Sequence, residues 1–236
     1  MKDRTVGELV AERPSRSRVF QELGVDFCCQ GGRTLREACE RKGLNVDDVV
    51  ARLENEEAEP PETANPESLS PEALTDYIVA VHHDFLREEL PRLHGMAQRV
   101  AHVHGGHTPS LREVFVVFEG LLLELGSHIE KEEQILFPAI RAMAQGTGGF
   151  FPLDGPMACM MQEHADADAA LEKLRALTNG FQPPAEACNT YRALFAGLGE
   201  LEQDLHRHIF LENEILFPAA RRLAGSPREG GVYEEA

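Results

Sequence analysis

The sequence predicts an all-α protein, an antiparallel four-helix bundle preceded by a small helical domain. Three observations lead there. Beyond Pro71, apolar residues recur at helical spacing in four long segments, about 71–103, 109–144, 156–179 and 184–224. Short Gly- and Pro-containing connections separate them: Gly105-Gly106, then Gln145-Gly146-Thr147-Gly148-Gly149, then Asn179-Gly180 with Pro183-Pro184. Finally, a composition of 42% hydrophobic but only 6% aromatic residues, with no Trp, suits packing by Leu, Ala and Val.

Residues 1–55 read as a small helical domain. Thr5 with Glu8 three positions on has the form of a capping box opening a first helix. Pro14 suits the first turn of a second helix that ends at Gly24. Asp26-Phe27-Cys28-Cys29-Gln30-Gly31-Gly32 reads as a loop, and Thr34 to Lys42 as a third helix stopped by Gly43. Asn45 caps a fourth, with Asp47 and Asp48 in the first turn, where the helix dipole favours negative charge. Residues 56–70, rich in Glu and Pro and without apolar periodicity, read as an extended, solvated linker. The bundle occupies 71–225, and 226–236 form a polar tail. Pro91, Phe137-Pro138 and Phe217-Pro218 are expected to kink their helices rather than end them, because the periodicity continues past each.

The charge balance narrows the function. With 23 Lys and Arg against 40 Asp and Glu, the net charge is −17 and no long basic run occurs, which argues against a nucleic-acid partner. No apolar run approaches the roughly 20 residues of a membrane span, and Met1-Lys2-Asp3-Arg4 leads into no apolar signal segment. Five Cys, two of them adjacent, do not make a disulfide framework. The expectation is a cytoplasmic protein.

One stretch occurs twice. His128-Ile129-Glu130-Lys131-Glu132-Glu133-Gln134-Ile135-Leu136-Phe137-Pro138-Ala139-Ile140-Arg141 aligns with His208 to Arg221 at nine identical positions of fourteen, including a His and a Glu four residues apart. Residues at i and i+4 share a helix face. Leu121, Leu125, His128, Glu132, Ile135 and Ala139 fall on one line, as do Leu201, Leu205, His208, Glu212, Ile215 and Ala219. Both His–Glu pairs therefore point into the core, where a carboxylate needs a compensating cation. His83, on the line of Val79, Leu86, Leu90 and Leu93, and His164, on that of Met157, Met160, Ala167 and Leu171, extend the repeat at a separation of 81 residues. The bundle thus reads as two copies of a helix pair, each giving a His and then a His-x-x-x-Glu, around an approximately two-fold site.

Four imidazoles and two carboxylates without a thiolate suit iron, manganese or zinc, and two carboxylates are too few for calcium. Two Glu can each bridge two ions that take two imidazoles apiece, leaving positions for an oxo or hydroxo bridge, water or substrate. His82, His94, His102, His104, His107 and His206 are read as surface residues, with His82 and His206 flanking the site. Glu133 and Glu163 lie beside the ligand lines, either solvated or supporting the ligands. Cys28 and Cys29 are either exposed soft ligands or redox thiols, or a buried pair, and Cys39, Cys159 and Cys188 read as small core residues.

The duplicated His-x-x-x-Glu bundle resembles hemerythrin-like domains. Joined to the Asp26-Phe27-Cys28-Cys29-Gln30-Gly31-Gly32 loop with Thr34-Leu35, it is similar to the bacterial iron–sulfur cluster repair di-iron proteins over nearly the whole chain. That resemblance implies a non-haem centre of two iron ions held by His83, His128, His164 and His208, with Glu132 and Glu212 as bridges. The family motif sets the ligand directly before Asp, here Asp84, which favours His83 over His82. It further implies rebuilding of clusters damaged by nitric oxide or oxidants, by iron donation to apo-cluster acceptors, with nitric oxide reduction or gas sensing as alternatives. The Cys28-Cys29 domain is implied in homodimer formation or in handling iron or nitrosyl groups.

Overall fold

Two matched caps organise the N-terminal helices. Thr5 and Thr34 accept from the backbone N–H three residues on, Glu8 at 3.1 Å and Glu37 at 3.3 Å. The two Glu side chains accept in return from the threonine N–H groups at 3.0 and 2.9 Å. Val6 N–H donates to Arg33 O and Leu35 N–H to Arg4 O, both at 2.9 Å, so the starts of α1 (Val6–Glu12) and α3 (Leu35–Lys42) are tied by one antiparallel bridge. With α2 (Arg16–Glu22) and α4 (Val46–Asn55), these are the four short helices expected. Gly43, at φ 66°, closes α3 in the left-handed conformation that favours glycine. Asn45 accepts from Asp47 N–H at 2.9 Å at the start of α4.

The structure, a computed structural model, describes residues 1–13, 16–25, 32–55, 66–147 and 152–225. Pro14, the Cys28-Cys29 loop, linker residues 56–65 and the tail after 225 lie outside the described residues. At the end of the linker, Pro66–Ser68 is a 3-10 turn with Pro66 buried, so the extended reading through residue 70 is corrected there. Ser70 then caps α5, accepting from Ala73 N–H at 3.2 Å.

The four long segments form the predicted antiparallel four-helix bundle, with no strand among the described residues. The first comprises α5 (Pro71–Ile78), a π turn (Val79–His83) and α6 (Asp84–His104). The second comprises α7 (Ser110–Lys131), a π turn (Glu132–Leu136) and α8 (Phe137–Ala144). Helix α9 (Asp154–Leu177) is unbroken, and the last segment comprises α10 (Asn189–Phe210), a π turn (Leu211–Leu216) and α11 (Phe217–Gly225). Pro91 lies inside α6, which continues past it as expected.

By packing, the chain divides into two compact units. One comprises Met1–Thr63, Leu86–Leu122 and Ala169–Asp204. Within it, Glu89 pairs with Arg92, and Arg175 with Glu202. The other comprises Ala64–Phe85, Leu123–Asp168 and Leu205–Ala236, and it contains all six predicted ligands. Its core is Leu74, Ile78, Leu136, Phe137, Ile140, Leu153, Met157, Met160, Leu211, Leu216, Phe217 and Ala220.

Each π turn is closed by an N–H that reaches back five residues: Asp84 to Val79, Phe137 to Glu132 and Phe217 to Glu212. Two of them run directly into a Phe-Pro pair. Pro138 and Pro218 have no N–H to donate, so the helical ladder is interrupted there in any case and the wider turn costs less.

The wider turn corrects one sequence expectation. Each extra residue sets the helix phase back by about 100°, the arc one residue occupies at 3.6 per turn. Leu136, Phe137 and Ile140 therefore enter the core, while Ile135 is 52% exposed and Ala139 leaves the buried line. In the second copy Leu216, Phe217 and Ala220 are buried, and Ile215 and Ala219 are only partly so. Leu136→Ala should accordingly destabilise the protein by about 3 kcal/mol, whereas Ile135→Ala should stay within roughly 1 kcal/mol. Denaturant unfolding of the two variants checks this, and equal losses would contradict the shifted phase.

Candidate metal centre

Six polar side chains lie where the packing should admit only apolar ones. Glu132 and Glu212 are 0% exposed, and His83, His128, His164 and His208 are at most 4% exposed. Three of the six sit in the π turns: His83 ends the first, Glu132 opens the second, and Glu212 is the second residue of the third.

The donors form two overlapping sets. His83, Glu132, His208 and Glu212 each offer an atom within 4.8 Å of the others, and so do His128, Glu132, His164 and Glu212. Donors bound to one ion at 2.0–2.2 Å lie at most about 4.4 Å apart, so both sets are near the size of a coordination sphere. Glu132 Oε2 lies 3.3 Å from both His83 Nε2 and His128 Nε2. Glu212 Oε2 lies 2.9 Å from His164 Nε2 and its Oε1 3.1 Å from His208 Nε2. The Nε2 atoms of His128 and His164 face each other at 3.2 Å. Each Glu therefore serves both sets, and each His serves one.

The buried oxygens say what such a pocket accepts. Both oxygens of Glu132, Oε2 of Glu212 and Nε2 of His83 are fully enclosed and make no hydrogen bond. Inward-facing acceptors without donors fit a cation. Burial, reinforced by the charge of Glu212, pushes the Glu132 carboxyl well above its ordinary range. Burial acts on Glu212 in the same direction, but the imidazoles of His208 and His164 outweigh it and hold that carboxyl well below. Burial and the nearby His208 push His83 down to about 4, and burial likewise lowers His128. These imidazoles are thus kept neutral, the form that binds metals.

Outer partners aim the rings. His83 Nδ1 faces Glu133 Oε1 at 2.7 Å, His128 Nδ1 faces Glu163 Oε2 at 2.9 Å, and His164 Nδ1 faces Asn213 Oδ1 at 3.0 Å. An N–H donated from Nδ1 leaves the Nε2 lone pair directed inward. Lys131 in turn pairs with Glu163. Phe137 stacks on His83 at 5.6 Å and Phe217 on His164 at 6.1 Å, so the Phe of each Phe-Pro pair walls one imidazole. A cavity of about 340 Å³ adjoins His128, His164 and His208, with Leu123, Leu125, Leu205 and Ile209 among its walls.

Sequence reasoning finds all six converging residues and misplaces or misses others. His82, read as a surface residue, is 3% exposed and stacks on His208 at 5.3 Å with a 7° tilt. His206 is on the surface, 3.1 Å from Asp168. Glu133 and Glu163, left open in the sequence, lie against Nδ1 of His83 and of His128. Asn213 was missed, although it aligns with Glu133 in the repeated stretch, and that correspondence was the available signal. Cys159 is exposed and Cys188 partly so, so only Cys39 is a core residue as expected.

The bundle and its paired donor sets define a cation-binding helical protein, and comparison with known proteins gives its family. Residues 74–220 match the hemerythrin HHE cation binding domain, and residues 2–57 match ScdA_N, described as a domain of unknown function. The chain is 40% identical to "Iron-sulfur cluster repair protein YtfE" of Musicola paradisiaca over 94% of its length and 97% of that protein. The protein of the same name from Pectobacterium atrosepticum is 39% identical over 94% and 98%, and that from Escherichia coli O81 is 41% identical over 95% and 98%. The chain belongs to the family of these hemerythrin-domain iron–sulfur cluster repair proteins. No helix among the described residues is long and apolar enough to cross a membrane.

Asn213→Ala removes the acceptor on His164 and leaves all six donors in place. Metal affinity should fall about 10- to 100-fold, as is typical when an outer partner is lost. Competition against a chromophoric chelator measures this, and an unchanged affinity would show that Asn213 does not orient a ligand.

Proposed function

We propose that this chain holds a carboxylate-bridged di-iron centre and uses its iron to rebuild iron–sulfur clusters damaged by nitrosative or oxidative stress. The observation that carries the reading is the sharing of Glu132 and Glu212 between two donor sets that otherwise use different imidazoles. Under it, His83 and His208 would hold one ion and His128 and His164 the other, with Glu132 and Glu212 shared between them. When bound, iron supplies ligand exchange and a reversible change of oxidation state.

The chain's own residues set the conditions for uptake and release. Within the closed pocket His83 and His128 are held neutral, so the charge of the carboxylates is left for a cation or protons to balance. Glu132, with its carboxyl held well above the ordinary range, takes a proton back readily when a cation leaves. Donation is thereby coupled to proton uptake at a named carboxylate.

The reading includes a cytoplasmic location, apo-cluster acceptors as partners, a homodimer, and a role for Cys28-Cys29 in handling iron or nitrosyl groups. The cavity beside His128 and His164, where Leu123, Leu125, Leu205 and Ile209 stand among charged side chains, favours one second reading, reduction of nitric oxide, because a small neutral diatomic enters such a space at little cost. The test is to load the protein anaerobically with ferrous iron and mix it with an apo-cluster acceptor, sulfide and a strong iron chelator in the bulk. Cluster formation with matching loss of iron from the donor is expected, and Glu132→Ala should neither retain iron nor transfer it. Absence of transfer from the loaded protein would overturn the donor reading. Nitrous oxide produced from nitric oxide with the iron retained would move the assignment to the second.

A further inference from the structure

The metal centre takes no donor from the described cysteines, and their three surroundings differ sharply. Cys39 is enclosed in the core around α3, and burial pushes its thiol up. Cys159 is exposed on α9, but it donates to Glu163 Oε1 at 3.5 Å, and desolvation together with that carboxylate pushes its thiol up as well. Cys188 differs from both. It is half-buried immediately before α10, and its Sγ lies 3.3 Å from Nε2 of His104, a residue 84 positions earlier in the chain.

The pair sits at two helix ends. His104 is the last residue of α6, a helix of 21 residues, and its carbonyl accepts from the N–H groups of His107 and Thr108. Cys188 caps α10, a helix of 22 residues, its carbonyl accepting from Arg192 N–H at 3.0 Å, at the end where unpaired N–H groups favour an anion. The ends of the two helices thus meet at this Cys–His pair. The imidazole is also held in place. Tyr191 packs against it at 5.5 Å and is itself fixed edge-on to Phe195 at 4.7 Å. Gly105 follows at the helix end, where a Cβ would come within 2.3 Å of Ala101 O and 2.9 Å of Arg112 Cγ, so no other residue fits without moving the end of α6.

We propose that Cys188 and His104 form a reactive thiol site, separate from the metal centre, that takes up a mixed disulfide from small disulfides such as oxidised glutathione. Nucleophile and base within hydrogen-bond reach, with the base held by a third side chain, are the elements such chemistry needs. His104 Nε2 accepts the Sγ proton, and the thiolate attacks one sulfur of the incoming disulfide. That S–S bond breaks as the new one to Cys188 forms, and the departing thiolate takes the proton from His104. The incoming disulfide supplies the oxidising equivalent, no external oxidant is needed, and excess small thiol reverses the exchange.

Full-length protein exposed to oxidised glutathione at neutral pH, quenched at intervals and mapped by peptide mass spectrometry, tests this site by site. Cys188 should be modified at least about 10-fold faster than Cys159, although Cys159 is the more exposed. His104→Gln should slow Cys188 by about 10-fold or more and leave Cys159 unchanged, with His104→Asn as a second variant of smaller volume. The comparison of the two cysteines in the unmodified chain needs no variant to fold. Cys188 reacting no faster than Cys159, or at the same rate in a folded His104 variant, would overturn the proposal.

Discussion

Glu132 and Glu212 lie side by side wholly out of water, and this buried pair is the constraint on which the metal-bearing half of the bundle depends. Two adjacent carboxylates in an apolar interior cannot both stay ionised unless positive charge comes with them. Burial keeps His83 and His128 neutral, and the pull of His208 and His164 acts on Glu212, so Glu132 is left without a compensating positive charge. A pocket of this kind is therefore built to be completed by a cation, and the enclosed oxygens of Glu132 without a hydrogen-bond donor express that directly.

The π turns follow from the same requirement. Glu132 and Glu212 must point inward, and so must the bulky residues that seal the centre. A regular α-helix continuing from Glu132 would bring Ile135 and Ala139 to that face. The extra residue in the turn brings Phe137 instead, which stacks on His83, and in the second copy Phe217, which stacks on His164. The Phe-Pro pairs thus join two jobs: the proline removes a backbone donor where the ladder is irregular, and the phenylalanine walls an imidazole.

The fold class and the six converging residues are legible in the sequence, because both depend on local periodicity and on a duplication that keeps its spacing. His128 and Glu132 are four residues apart, as are His208 and Glu212, and each pair straddles the start of a π turn before the change of phase has accumulated. The first misread positions come where regular spacing ends. Ile135 and Ala139 leave the core because helical phase cannot be extrapolated through a π turn. His82 is buried because the π turn that ends at His83 brings both neighbours inward. The partners of the rings were harder to see, since Glu163 reaches His128 and Asn213 reaches His164 across helices. Cys188 was misread for the same reason, its partner His104 being set by tertiary packing alone.

The claim that two ions share two carboxylates is tested most directly by Mössbauer spectroscopy of the iron-loaded, oxidised protein alongside metal analysis. Two irons per chain, spin-coupled to a diamagnetic ground state, are the expected result. A single ion per chain, or two irons with independent paramagnetic spectra, would contradict a centre bridged by Glu132 and Glu212.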